Sequence, residues 1–239
     1  MIIAIDGPAG AGKSSVARGL AEQFHFAYID SGAMYRALAL AAREAGLDAS
    51  CDREKIVALA QNLPLRFEDN GRKIFIGARD VSTPIRAPGM GEATSQIAAI
   101  GAVRPAIVAQ QQRLGREGEA QCGGAVLEGR DIQTVVFPDA DLKIFLTATP
   151  QARAQRRLKD WRQSEQQPDL EALARDIAER DERDATRADS PLRAADDAVH
   201  LPTDLLSAEQ VVMEIARLVQ EILPKNAASK SGHSGAHRP

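Results

Sequence analysis

The chain has 239 residues, 44% of them apolar, enough to fill the core of one α/β domain with a smaller inserted lobe. Its 30 Lys and Arg against 33 Asp and Glu leave a net charge of −3, so global charge gives no reason to invoke nucleic acid or a membrane surface. No apolar run is long enough to span a bilayer and no secretory leader precedes the first strand, so a cytoplasmic protein is expected. Cys51 and Cys122 lack metal-ligand spacing and read as reduced thiols, and His25, His200, His233 and His237 form no H-x-x-x-H pair.

The elements follow in order. Residues Met1 to Asp6 are an apolar, β-branched run that predicts a buried parallel strand. Directly after them Gly7, Pro8, Ala9, Gly10, Ala11, Gly12, Lys13 and Ser14 spell G-x-x-x-x-G-K-S, a P-loop. Ser15 then opens a helix with Val16, Ala17, Leu20 and Ala21 at helical spacing. Strand, glycine loop and helix is the context phosphate binding needs. Glycines let successive N–H groups turn inward, and the helix N-terminus adds partial positive charge. Lys13 is placed to reach the β- and γ-phosphates of ATP, and the Ser14 hydroxyl to sit on Mg²⁺.

Phe26 to Asp30 predicts a second strand, and 33–45 a helix ended by Gly46. Between them Ser31 reads either as a helix cap or, with Arg36, as part of a second anion site. A short helix is expected from Asp52 to Asn62. Leu65 to Glu68 and Lys73 to Ile76 then alternate about Asn70-Gly71, a hairpin signal that places an antiparallel lobe beside the parallel sheet. Residues 91–114 read as mostly helical, with a boundary at Arg104-Pro105. Ala125 to Glu128 and Leu142 to Leu146 are expected as the third and fourth buried strands.

Thr149-Pro150 begins a helix bearing Arg153, Arg156, Arg157 and Arg162. A polar gap over Ser164 to Pro168 separates it from a helix spanning about 169–185. Two arginine-bearing helices about a polar loop read either as a lid over phosphates or as a solvated, salt-bridged hairpin. A short fifth strand at 198–201, a capping box at Ser207 and Gln210, and a last helix stopped by Pro224 complete the folded part. Residues 225–239 are expected to be a disordered tail.

With these elements placed, the sequence resembles the bacterial cytidylate kinases, nucleoside monophosphate kinases among the P-loop proteins. The likeness runs from Ile2 to about Leu223. It is carried by the P-loop, Asp30-Ser31-Gly32-Ala33-Met34-Tyr35-Arg36, residues 93–98, Val103-Arg104, Glu128-Gly129-Arg130-Asp131, Thr134 to Pro138, and Arg180 to Asp184 with Arg187.

The resemblance implies a P-loop kinase core: a five-stranded parallel sheet flanked by helices within one domain over 1–224. It also implies a monophosphate-binding lobe inserted at about 31–99 and a helical lid at about 153–170. The implied reaction is phosphorylation of CMP and dCMP by ATP with Mg²⁺, in a monomer, without nucleic acid or membrane. It casts Ser31, Arg36, Arg130 and Arg187 as monophosphate contacts, and Ser95, Arg104 and Asp131 as readers of cytosine. Arg180 and Asp184 fall to the phosphate and ribose, Lys13, Arg130 and Arg187 to catalysis, and Arg153 and Arg157 to the lid.

Two residues depart from the family pattern: Gln133 stands for the usual glycine, and Glu128 for the common aspartate. The first strains the turn if that glycine has positive φ. The second alters the reach of any water-mediated metal contact. The alternative is a P-loop kinase for another small molecule. It would phosphorylate a hydroxyl and require a carboxylate base, for which Asp30 is the candidate.

Overall fold

The computed structural model describes residues 1–161, 169–187 and 189–230. Strand β1 (Ile2–Asp6) is buried along its whole length, as a run apolar on both faces requires. The P-loop leads into α1 (Lys13–Phe24), then β2 (Ala27–Asp30) and α2 (Ser31–Glu44). Asp30, not Ser31, caps α2: its carboxylate accepts the Ala33 N–H at 2.7 Å, which leaves Ser31 as the first helical residue. Gly46 follows α2 with φ +67°, as expected.

Next come α3 (Arg53–Asn62) and the strands β3 (Leu65–Glu68), β4 (Lys73–Ile76) and β5 (Arg79–Asp80), which form an antiparallel sheet of their own. Its first turn carries positive φ at Asp69, Asn70 and Gly71, the backbone that Asn-Gly accommodates. Residues 91–114, expected to be mostly helical with a boundary at Arg104-Pro105, fall in α4 (Met90–Ala98) and α5 (Arg104–Cys122), and Pro105 lies in the first turn of α5.

Strand β6 (Ala125–Gly129) leads through a π-helical turn at Ile132–Val136 to β7 (Leu142–Thr147). Helix α6 (Pro150–Trp161) is capped by Thr149, whose hydroxyl accepts the Ala152 N–H at 3.3 Å. Helix α7 (Leu170–Thr186), capped by Asp169, packs on α6 through Ala154, Leu173 and Ile177. The chain closes with β8 (Val199–Pro202) and α8 (Ala208–Lys230). Ser207 and Gln210 form the reciprocal pair of a capping box, at 2.8 and 3.3 Å.

Helix α8 passes through Pro224 to Lys230, against the expected stop and an unstructured 225–230. A proline inside a helix removes one donation, here to the Gln220 carbonyl, and its ring crowds the carbonyl four residues back; Gln220 is exposed, on the side where water can satisfy that group. The rest of the expected tail, 231–239, and the expected lid loop from Ser164 to Pro168 lie outside the described residues.

The five-stranded sheet is wholly parallel, in the order β2-β6-β1-β7-β8. Alternation along the strands feeds two cores. Ile2, Ala4, Ile29 and Leu127 face α2, α3, α5 and the antiparallel lobe. Ile3, Ile5, Tyr28, Val126 and Ile144 face α1 and α8. From β1 the chain winds first to one side (β2, β6) and then to the other (β7, β8), leaving a crevice beyond the carboxyl ends of the central strands.

Gly7, at the end of β1, has φ +151°, and a Cβ there would lie 2.2 Å from the Leu146 carbonyl oxygen. The P-loop leaves the sheet by passing against β7, which only glycine allows. Gly7→Ala is expected to lower the unfolding free energy by about 2–4 kcal/mol. Equilibrium denaturation measures it, and an unchanged midpoint would contradict the close approach.

Candidate active site

Strand register assembles the site. Asp6 lies opposite Gly129, and Asp30 opposite Glu128, so the ends of β1, β6 and β2 are level. Each strand hands its next residues to one cavity of about 740 Å³. The P-loop from Ala9 onward, Ser15 included, forms one wall. Gly10 and Gly12 have φ of +78° and +91°, which curls the loop. Gly7 and Pro8 stand behind the wall: Gly7 spaces the loop from β7, and the Pro8 carbonyl accepts Lys13 Nζ at 2.9 Å.

Lys13 is buried. Desolvation, then the Arg130 guanidinium, bring its pKa down to about 7 against the attraction of Glu128 and Asp6. Glu128, also buried, is pushed up by desolvation and by Asp30. It accepts the Tyr28 hydroxyl at 3.0 Å and is hydrogen-bonded to Ser14. Asp6, beneath the loop, is raised to about 6, chiefly by burial, and accepts the Ile132 and Gln133 N–H groups at 3.1 and 2.9 Å. It thereby joins the P-loop strand to the turn that carries Arg130 and Asp131.

The opposite wall gathers Ser31, Arg36, Ser95, Arg104, Arg130, Asp131, Arg180, Asp184 and Arg187, every residue expected there. Arg36 donates to Asp30 at 2.9 Å, and Arg130 Nε to Asp184 at 2.9 Å. Arg104 and Asp131 form a buried ion pair. Arg180 and Arg157 line the cavity with no hydrogen bond or ion pair among the described residues. Burial and then Arg130 lower the Arg180 pKa, with Arg157 and Arg36 adding to the effect, while burial and then Arg104 lower that of Arg187. Buried donors here lack partners among the described residues: Arg36 Nε, Arg104 Nε, Arg187 Nη2 and the Tyr35 hydroxyl. Burial raises the Tyr35 pKa to about 12, so the phenol keeps its proton.

Arg153 sits apart from the other arginines of α6. Expected among the lid arginines, it is buried outside the cavity lining and donates to the carbonyls of Ala148 and Ala9, each at 2.9 Å, and to Asp181. Arg156 lines the cavity instead and bonds Thr203 at both its hydroxyl and its carbonyl. The helical spacing of Arg153, Arg156 and Arg157 marks one face of α6, but spacing does not say which member turns inward. Thr203, Leu206, Ser207 and Val211 extend the P-loop end of the cavity; the capping box at Ser207 marks a helix start, and nothing in the sequence marks any of the four as cavity lining.

A family model described as cytidylate kinase matches residues 3–221. The chain belongs to the cytidylate kinase family. It is 45% identical over 222 residues to the cytidylate kinase of Solibacter usitatus, covering 92% of each chain. It is 44% identical over 223 residues to that of Exiguobacterium sibiricum, covering 92% of this chain and 97% of the relative. A bifunctional pantoate ligase/cytidylate kinase of Synechococcus sp. (strain JA-3-3Ab) is 44% identical over 233 residues, 95% of this chain but 42% of that protein. The chain thus spans less than half the length of this last relative. No helix among the described residues is long and apolar enough to cross a membrane.

Against the cytidylate kinase pattern, Gln133 causes no strain: it is absent from the residues with positive φ. Its amide side chain is buried, donating to the Ile144 carbonyl at 3.4 Å and accepting the Ala195 N–H at 3.0 Å. Glu128 uses its extra length to meet both Tyr28 and Ser14.

The Lys13 shift gives a pH dependence for the cytidylate kinase P-loop. Raising pH through 7 discharges Lys13 in the free protein, and polyphosphate binding must then recover the proton. Affinity for Mg·ATP is expected to fall about fivefold between pH 7 and pH 8. Lys13→Met should bind more weakly and lose that slope. Calorimetric titration at several pH values measures both, and a flat wild-type profile would contradict the shift.

Proposed function

We propose that this chain catalyses transfer of the γ-phosphoryl group of ATP to CMP and dCMP, giving ADP and CDP or dCDP, as a monomer in the cytoplasm. The observation that carries this reading is the set of buried donors without partners, Arg36 Nε, Arg104 Nε, Arg187 Nη2 and Tyr35 hydroxyl, converging opposite a P-loop. Unsatisfied buried donors are costly, and a ligand rich in acceptors removes that cost. One chain supplies both walls, and the exposed, unpaired Cys51 and Cys122 suit a reducing compartment.

ATP lies along the P-loop, its phosphates under the N–H groups of residues 9–15 and its base toward Arg156, Thr203 and Leu206. The acceptor phosphate lies between Ser31, Arg36, Arg130 and Arg187, with Arg180 and Arg157 toward the transferring group. Asp184 fixes Arg130 and faces the ribose. The attacking atom is an acceptor phosphate oxygen, anionic at neutral pH, so no general base is needed. What limits the reaction is repulsion between two anions. Lys13, Arg130 and Arg187 offset it and hold the reactants in line.

No cluster of three potential metal ligands occurs among the described residues, so no all-protein cage is present. The Ser14 hydroxyl, bonded to Glu128 at the cavity, suits an ion held mainly by nucleotide phosphates. There Ser14, with Glu128 behind it, would hold Mg²⁺, which neutralises charge on the β- and γ-phosphates. A kinase acting on a hydroxyl would need Asp30 as base. Both its oxygens are engaged, one by Ala33 N–H and one by Arg36, which disfavours that alternative.

Cytosine offers acceptors at O2 and N3 and a donor at its 4-amino group. Arg104 and Ser95 donate, and Asp131 accepts. Uracil presents an oxygen to the same carboxylate. Purified protein with Mg·ATP should turn over CMP and dCMP strongly, UMP weakly, and AMP and GMP almost not at all. The CMP preference over UMP should be roughly 1–3 kcal/mol in catalytic efficiency. Asp131→Asn, which offers UMP a donor, should erase most of it. Equal efficiency of the wild type on CMP and UMP would overturn the recognition scheme. ATP binding without turnover of any monophosphate would overturn the activity.

A further inference from the structure

The chemistry above leaves unused a cluster of a buried arginine and a half-buried carboxylate. Asp181, on α7, reaches the first turn of the P-loop and accepts the Ala9 N–H at 3.0 Å through one oxygen. Its other oxygen meets Arg153, whose Nη1 also donates to the Ala9 carbonyl at 2.9 Å, while its Nε holds the Ala148 carbonyl at 2.9 Å. Both faces of a single P-loop residue are therefore held, the N–H by α7 and the carbonyl by α6. Gly10, next along, leaves only 3.1 Å between a would-be Cβ and Arg153 Cβ, so the guanidinium stem lies directly against the loop.

Helix α7 has a second anchor. Three residues on from Asp181, Asp184 binds Arg130 at 2.9 Å, on the turn after β6. The helix thus bridges the donor loop and the acceptor wall. Arg180 stands beside Asp181 and faces the cavity, with no ion pair of its own among the described residues. An unpaired arginine near other guanidinium groups is repelled by them and does not hold its place unaided. Its position is set by where α7 is seated.

We propose that Arg153 and Asp181 are positioning residues for phosphoryl transfer: a latch on Ala9 that sets α7 against the P-loop and so holds Arg180 over the transferring group. The inference rests on the proposed kinase reading. Neither latch residue touches substrate. Without the latch, the P-loop still binds ATP and the acceptor wall still binds the monophosphate. Alignment suffers, and water competes better with the acceptor oxygen for the γ-phosphoryl group.

The test uses the full chain with Asp181→Asn, Arg153→Gln and the double variant, which leaves no buried charge unpaired. Asp181→Asn keeps an oxygen for the Ala9 N–H and removes only the charge facing Arg153. Each single variant should lose at least tenfold in kcat for CMP, with KM for ATP and CMP within threefold. The double should be no worse than either single, and Arg153→Lys should recover part of the loss. The ratio of ATP hydrolysis to CMP phosphorylation should rise fivefold or more in the single variants. A ratio that stays constant while both activities fall with the folded fraction would make the pair merely structural and overturn the proposal.

Deuterium uptake by residues 170–186 gives a readout free of activity. Uptake should quicken in all three variants, both free and with Mg·ATP, and unchanged uptake overturns the latch. If the wild type phosphorylates no monophosphate, the kinase reading fails. Uptake then decides whether the pair seats α7, and ATP hydrolysis whether that seating matters.

Discussion

Cations of one sign crowd the rim of a half-buried cleft, and much of the surrounding structure exists to tolerate them. Lys13, Arg36, Arg130, Arg157, Arg180 and Arg187 all face one cavity. Two like charges about 6 Å apart repel by about 3 kcal/mol at an effective dielectric near 20. Asp30, Asp131 and Asp184 offset part of this by binding Arg36, Arg104 and Arg130. Burial first, and then the neighbouring guanidinium groups, lower the pKa values of Lys13, Arg180 and Arg187. A cleft so charged, with donors already oriented, favours phosphate without reorganising when phosphate arrives.

The carboxyl ends of three adjacent strands make this crowding possible. Asp6 ties the end of β1 to the turn after β6, and Gln133 ties that turn to β7 and to the segment before β8. Donor and acceptor halves of the cleft are therefore parts of one hydrogen-bonded edge. Where the cytidylate kinase pattern has glycine, this chain has a glutamine without positive φ, so the backbone is not strained, and its Oε1, Nε2 and backbone N all find partners.

How much of this was legible depended on how local each cause was. The strand, P-loop and first helix are contiguous, and their pattern specified them. So did the Asn70-Gly71 turn and the Ser207 and Gln210 box, where bonds close within a few residues. That Asp30 and not Ser31 caps α2 was not legible, because both residue types cap well. The surroundings of Arg153 were not legible for a different reason. This residue is held by Ala9, 144 residues away, so its orientation follows from how α6 docks, which no periodicity encodes. Pro224 was read as a stop because proline usually is one, yet α8 continues past it on a stretch where Gln220 is exposed.

The order of the strands also governs how the chain must come together in time. β1 has two neighbours, β6 and β7, beginning at Ala125 and Leu142, so neither side of it can pair until more than half the chain exists. During synthesis at about 5–20 residues per second, that interval is on the order of ten seconds. Throughout it the run Ile2-Ile3-Ala4-Ile5 has no strand partner, and non-local parallel pairing is intrinsically slow once it becomes possible. The register that levels three strand ends at one cleft thus leaves the apolar run Ile2-Ile3-Ala4-Ile5 waiting for partners encoded more than 120 residues later.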